Sequence, residues 1–187
     1  MRRMRMSLTL TVLFALLGGS PIGLLAEDAE PAPATVSDRD LDYAERGVYG
    51  VDVYAPTEPG SWPVVVIIPG AFQNKAAYGF LARAIAEDGA VVYNVGASMA
   101  DPFPEATRQI ACAVRFARAR AADYGGDPGR VTLLGHSAGA ALGMVVAMAG
   151  DDYARDCVVA DGSALVDSLV GYELSLIHIS EPTRPTT

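Results

Sequence analysis

Cysteine, histidine and positive charge are all scarce in this chain, and each shortage excludes something. Two cysteines, Cys112 and Cys157, are too few for a small disulfide-dense scaffold. With only two histidines, and no ligand-like spacing among Cys and His, neither a metal site nor a metal cofactor is expected, and no other cofactor motif stands out. Lys and Arg number 14 against 22 Asp and Glu, for a formal charge of -8. Phosphate binding needs basic clusters, so nucleic acid is not an expected partner. Charged residues make up only 19% and hydrophobic ones 51%, which excludes wholesale disorder and leaves one domain's worth of chain with enough apolar side chains for a core.

Long apolar runs are missing too. The one candidate, residues 8–17, is short for a membrane span and is followed by Gly18, Gly19 and Pro21. Arg2, Arg3 and Arg5 precede it, and Leu24-Leu25-Ala26 before Glu27 has the small-residue character of a cleavage site. Residues 1–26 therefore read as a signal peptide, and the expectation is an exported protein without a stable membrane anchor. Removing those arginines takes the charge from -8 to -11. No cysteine follows the apolar run closely, so lipidation is not indicated. In an oxidising compartment Cys112 and Cys157 would be free to bridge a loop of about 45 residues; the alternative is two buried thiols.

The stretch after the leader alternates between strand and helix signals. Residues 27–35 are acidic and rich in Ala and Pro, and 27–45 read as a flexible leader. Residues 47–55 (GVYGVDVYA) alternate as an antiparallel edge strand would, and 56–63 read as a turn holding the single Trp62. Residues 64–68 (VVVII) are β-branched throughout, which predicts a central strand covered on both faces. A helix over 75–87 would turn Tyr78, Leu81, Ala82 and Ile85 inward, before a strand at 90–95. A second helix over 105–122 would bury Ile110, Ala113, Val114, Ala117 and Ala121 and leave Arg108, Arg115 and Arg118 on a solvated face. Residues 157–160 read as a further short strand. Strands alternating with helices of this length predict an α/β three-layer sandwich on a mainly parallel sheet, occupying residues 46–173.

One stretch concentrates the chemistry. Residues 124–148 read YGGDPGRVTLLGHSAGAALGMVVAM, with a strand at 130–134, a sharp turn at Ser137 and an apolar helix after it. Gly135-His136-Ser137-Ala138-Gly139 fits G-x-S-x-G. A serine at a strand-to-helix turn has its hydroxyl lifted clear of the sheet, and the residues two before and two after must be small because other chain passes too close for a Cβ. Ser137 is thus a candidate nucleophile. His136 is its neighbour but not its base, because adjacent residues at a sharp turn point apart; it reads as a packed, hydrogen-bonded residue.

Together with VVVIIPGAF earlier in the chain, this segment and its spacing resemble the α/β-hydrolase fold, in particular small carboxylesterases and lipases of the formamidase-like group, over roughly residues 48–172. The resemblance implies a small-molecule ester as substrate and an acyl-enzyme on Ser137, with the oxyanion held by the backbone N–H groups of Ala138 and Ala71. Pro69 stands where many relatives begin an HGG-type motif with histidine. An amidase or peptidase would share the same nucleophile segment, and a binding protein without catalysis is the reading from another class.

The resemblance also implies a downstream acid and then a histidine. Only 50 residues follow Ser137, and they offer Asp151, Asp152, Asp156, Asp161, Asp167 and the lone His178. His178 lies in LSLIHISEPTR, residues 174–184, which resembles the translation of a transposon mosaic end joined to a sequencing adapter. Residues 174–187 are accordingly read as an artefact, and His178 is not read as the base. The segment would then hold the nucleophile and oxyanion donors without a base or acid, be inactive by itself, and lack the last strands of its sheet.

Overall fold

The computed structural model describes residues 34–44, 49–155, 157–159 and 161–173. Six strands form one sheet: β1 (Ala34–Leu41), β2 (Val51–Pro56), β3 (Trp62–Ile68), β4 (Val91–Val95), β5 (Gly126–His136) and β6 (Ser168–Tyr172). Their order is β1-β2-β4-β3-β5-β6. The run from β4 through β3 and β5 to β6 is parallel, whereas β2 is antiparallel to both of its neighbours. Three helices cover the sheet: α1 (Gly79–Glu87), α2 (Glu105–Arg120) and α3 (Ala138–Tyr153).

The period-2 alternation of the strands sorts the core into two layers. Val64, Val66 and Ile68 of β3, with Val91, Tyr93 and Val95 of β4, pack under Ile110, Ala113, Val114 and Ala117 of α2 and Val146 of α3. Ile67 and Val92 point the other way, onto Ala82 and Ala86 of α1 with Tyr54 and Tyr78. A strand covered on both faces must be apolar at every position, which explains the unbroken β-branched run of β3. Each such side chain contributes about 1.5–3 kcal/mol through burial. The inward-facing residues expected of α1 and α2 are those observed, with Tyr78 held in a 3-10 turn (Lys75–Tyr78) just before α1.

Several expectations need correction. Residues 34–41, inside the expected leader, form strand β1 along the free side of β2. That makes β2 an interior strand, and all six of its residues are buried. Its alternation reflects Asp52 being held by ion pairs rather than by water. β5 starts at Gly126 rather than at 130, because the Trp62 N–H bonds the Gly125 carbonyl and draws the Gly-Pro-rich approach into the sheet. The 157–160 segment is not a strand in its described part. Cys157 makes a single bridge to Ala44, and the next strand is Ser168–Tyr172, where Ser and Gly weaken the signal. Arg115 and Arg118 are not a solvated face either. Arg115 donates to the Ala154 carbonyl and Arg118 to the carbonyls of Pro128 and Leu165 and to Asp167, tying α2 to the start of β5 and to the segments after α3 and before β6.

Cys112 of α2 and Cys157 are joined by a disulfide with Cα atoms 5.2 Å apart. No helix among the described residues is long and apolar enough to cross a membrane.

Candidate active site

The parallel strands β3, β4, β5 and β6 all end on one edge of the sheet, and Ser137 sits there between β5 and α3. Its backbone is at φ 48° and ψ -114°, a region that side chains avoid and that costs about 1–3 kcal/mol unless the surroundings enforce it. They do so from both sides. The Ser137 N–H bonds the Tyr172 carbonyl at 3.1 Å, and the Ser137 carbonyl accepts from Ala140 and Ala141 at 3.0 and 3.1 Å. Glycines permit the turn. A Cβ on Gly135 would stand 2.5 Å from the Ala140 Cα, and one on Gly139 would stand 2.3 Å from the Pro69 carbonyl oxygen. The smallness expected at those two positions therefore has an identified cause at each.

Ala138 is the first residue of α3, so its N–H has no intrahelical acceptor and lies at the positive end of the helix dipole. The first turn of α3 carries no acidic residue that would oppose an anion there. Opposite, β3 ends in Pro69-Gly70-Ala71-Phe72. Pro69 contacts the elbow through Gly139, which places the loop bearing Ala71 against the turn bearing Ser137. Phe72 is at φ 61° and 98% exposed.

His136 is 9% exposed, and its ring nitrogens are taken up away from the serine. Nδ1 lies 2.6 Å from the Tyr78 hydroxyl and 2.8 Å from Gln73 Oε1, while Nε2 lies 2.8 Å from Glu173 Oε2. Its ring stacks on Tyr172 with centroids 4.6 Å apart. Of the downstream aspartates, Asp151 accepts from the Ala164 N–H and the Ser163 hydroxyl at the far end of α3, beyond a kink at Ala149 (φ -147°). Asp167 precedes β6, at the opposite end of the strands, and accepts from the Val131 N–H. Neither is brought to the serine. Asp152 and Asp161 are exposed, and Asp156 and His178 lie outside the described residues.

The family model BD-FAE matches residues 51–168, which includes the elbow, the loop after β3 and all of the sheet from β2 to the start of β6. The chain belongs to the BD-FAE family. Its fold is that of the α/β-hydrolases. Among solved structures it is similar to a bifunctional GH43-CE protein of Bacteroides eggerthii, at 26% identity and a TM-score of 0.57, covering 78% of this chain and 24% of that one. An esterase of the hyperthermophilic archaeon Pyrobaculum calidifontis matches at 25% identity and a TM-score of 0.55, covering 66% and 42%. A thermophilic esterase of the planctomycete Thermogutta terrifontis shares the fold at 18% identity and a TM-score of 0.60, covering 79% and 55%. The chain thus spans between about a quarter and just over half of the length of these three relatives. No curated protein matches the sequence.

Beside the site this BD-FAE chain has a cavity of about 150 Å³, lined by Tyr49, Phe72, Gln73, Asn74 and residues 96–100. It lies between the loops after β3 and β4. Behind it Lys75 bonds Asp52 at 2.6 Å and also pairs with Asp40, and Asn94 donates to the Lys75 carbonyl at 2.8 Å. Sequence reasoning missed these anchors and the partners of His136. Only the pairing of β2 with β4, which sets Asp52 opposite Asn94, brings the polar groups together. No group of Cys, His, Asp and Glu suited to a metal ion occurs among the described residues.

Proposed function

We propose that this chain is the nucleophile-bearing part of an exported serine carboxylesterase. The observation that carries the reading is the enforced left-handed backbone of Ser137 between β5 and α3, with Gly139 closed onto Pro69. In the proposed reaction the Ser137 oxygen attacks the carbonyl carbon of a small-molecule ester while a base takes its proton. The N–H groups of Ala138 and Ala71 hold the oxyanion, and collapse expels the alcohol and leaves an acyl-serine that water hydrolyses. The BD-FAE match and the resemblance to esterases support ester over amide as the substrate class. The base and its acid are assigned to sequence outside the described residues, since His136 is engaged by Tyr78, Gln73 and Glu173. The 187-residue chain alone is accordingly expected to turn over esters poorly.

The test compares the full-length protein with its Ser137→Ala variant on short-chain aryl esters and with a fluorophosphonate probe. Loss of turnover and of labelling is expected; a variant as active as the parent would remove Ser137 from the mechanism. Export is tested by N-terminal sequencing of secreted material, expected to begin near Glu27; an intact Met1 there would refute cleavage.

A further inference from the structure

Gly70 immediately precedes Ala71, and His136 immediately precedes Ser137. One hydrogen-bonded cluster, buried at Gly70, Tyr78 and His136 and open to solvent at Gln73, joins the two. The Gly70 N–H donates to the Tyr78 hydroxyl oxygen at 3.1 Å, and that oxygen lies 2.6 Å from His136 Nδ1. Tyr78 donates its own proton to Gln73 Oε1, which also stands 2.8 Å from His136 Nδ1. The Gln73 N–H closes the loop onto the Gly70 carbonyl at 3.3 Å. The fit is close. A Cβ on Gly70 would stand 2.6 Å from His136 Nδ1, so only glycine lets the loop lie on the imidazole.

We propose that Tyr78, backed by His136, is a positioning residue that aims the Ala71 N–H at the oxyanion by clamping the Pro69–Gly70 peptide, the unit just before the one that carries that N–H, to the end of β5. The proposal rests on the esterase reading above. Its physical basis is that oxyanion donors act only from about 2.7–3.1 Å, and a displacement of about 1 Å can cost a hundredfold in rate. The loop has reason to move without a clamp, because Phe72 is held at a positive φ with its ring in solvent. Tyr78 suits the task because its phenol oxygen accepts from the Gly70 N–H while its O–H donates to Gln73, and burial moves its pKa further above neutrality. The bond is backbone-directed, so the loop sequence alone does not reveal it.

The test uses Tyr78→Phe, His136→Leu, His136→Asn and Ser137→Ala in the full-length protein. Readouts are kcat and KM on an aryl ester, and exchange of the Gly70 amide by NMR. Tyr78→Phe is expected to lower kcat about 10- to 100-fold with KM within about twofold, and to speed Gly70 exchange about tenfold or more. His136→Asn, whose amide can stand in for Nδ1, is expected to recover most of what His136→Leu loses. A general loss of packing would not be rescued in this way. Unchanged kcat in Tyr78→Phe, unchanged Gly70 exchange, or equal loss in both His136 variants would overturn the positioning role. Ser137→Ala separates the two ideas. If it is inactive while Tyr78→Phe is normal, only the clamp fails. If it keeps full turnover, or if the parent hydrolyses no ester, the esterase reading fails and the clamp's catalytic role with it.

Discussion

Gly139 in the first turn of α3 faces the Pro69 carbonyl so closely that a Cβ there would stand 2.3 Å from the oxygen. Both partners are backbone, so neither can swing aside. This contact sets the elbow against the loop bearing Ala71, and it makes Gly139 as necessary to the site as any polar group.

Gly139→Ala should therefore cost about 3 kcal/mol by overpacking, or roughly 6–12 °C in Tm for a chain of this size. On the proposed reaction it should also depress ester turnover in the full-length protein, by pushing apart the segments that carry Ala71 and Ala138. Calorimetry and steady-state kinetics check both effects; an unchanged Tm would show that the helix shifts freely.

The Cys112–Cys157 bridge closes a loop of 45 residues. Chain entropy over that length predicts that replacing both cysteines with serine lowers stability by about 2–4 kcal/mol. Urea unfolding of the oxidised protein and of the double variant measures it. Coincident midpoints would mean that the bridge constrains nothing in the unfolded chain.

Lys75 reaches the buried start of β2 through Asp52 and β1 through Asp40. Burial works against its ammonium, but the bonds to Asp40 and Asp52 outweigh it and its pKa is raised. The bond and charge of Lys75 lower the pKa of Asp40. A lowered carboxyl contributes stability that is present above its unfolded value of 3.8 and lost as pH falls. A raised ammonium contributes stability that is present below 10.5 and lost as pH rises. Lys75→Met should cost about 1–3 kcal/mol near neutrality, less than a fully buried pair because water reaches part of Lys75. Its deficit relative to the parent should shrink toward both ends of that pH window. A deficit independent of pH would mean that packing, not charge, is what Lys75 supplies.

Tyr124 donates to Asp38 at 2.5 Å, and burial, with that bond, raises its pKa to about 12. A folded value above the unfolded 10.0 stabilises the native state below pH 10, and that contribution is lost as pH climbs toward 12. Tyr43 and Tyr93 are shifted upward by burial as well. Absorbance at 295 nm should show a first, ordinary tyrosinate transition and a later one coincident with unfolding. A single transition near pH 10 would contradict the burial of these rings.

The elbow was legible because its requirements are local. A short aliphatic strand, small residues two before and two after a serine, and a helix without breaks leave the chain one way to turn, and Ser137 sits there with the expected backbone. The core faces of β3 and α2 were legible for the same reason, since periodicity reports which side of an element is covered. Strand β1 was not. Its polar residues have weak strand propensity, and only the free edge of β2 gives its backbone groups partners. Nor was the role of His136 as the link between two loops, because its partners Gln73, Tyr78 and Glu173 lie 63, 58 and 37 residues away.

By itself the sequence determined the layer architecture, the turn at Ser137 and the two glycines it needs, because each follows from spacing and steric size within a few residues. The tertiary structure alone decided which strand closes the edge, which carboxylates Lys75 holds, and how Tyr78 joins the loop at Gly70 to the end of β5. Those contacts join segments far apart in the chain, and no local pattern encodes a distance across a sheet.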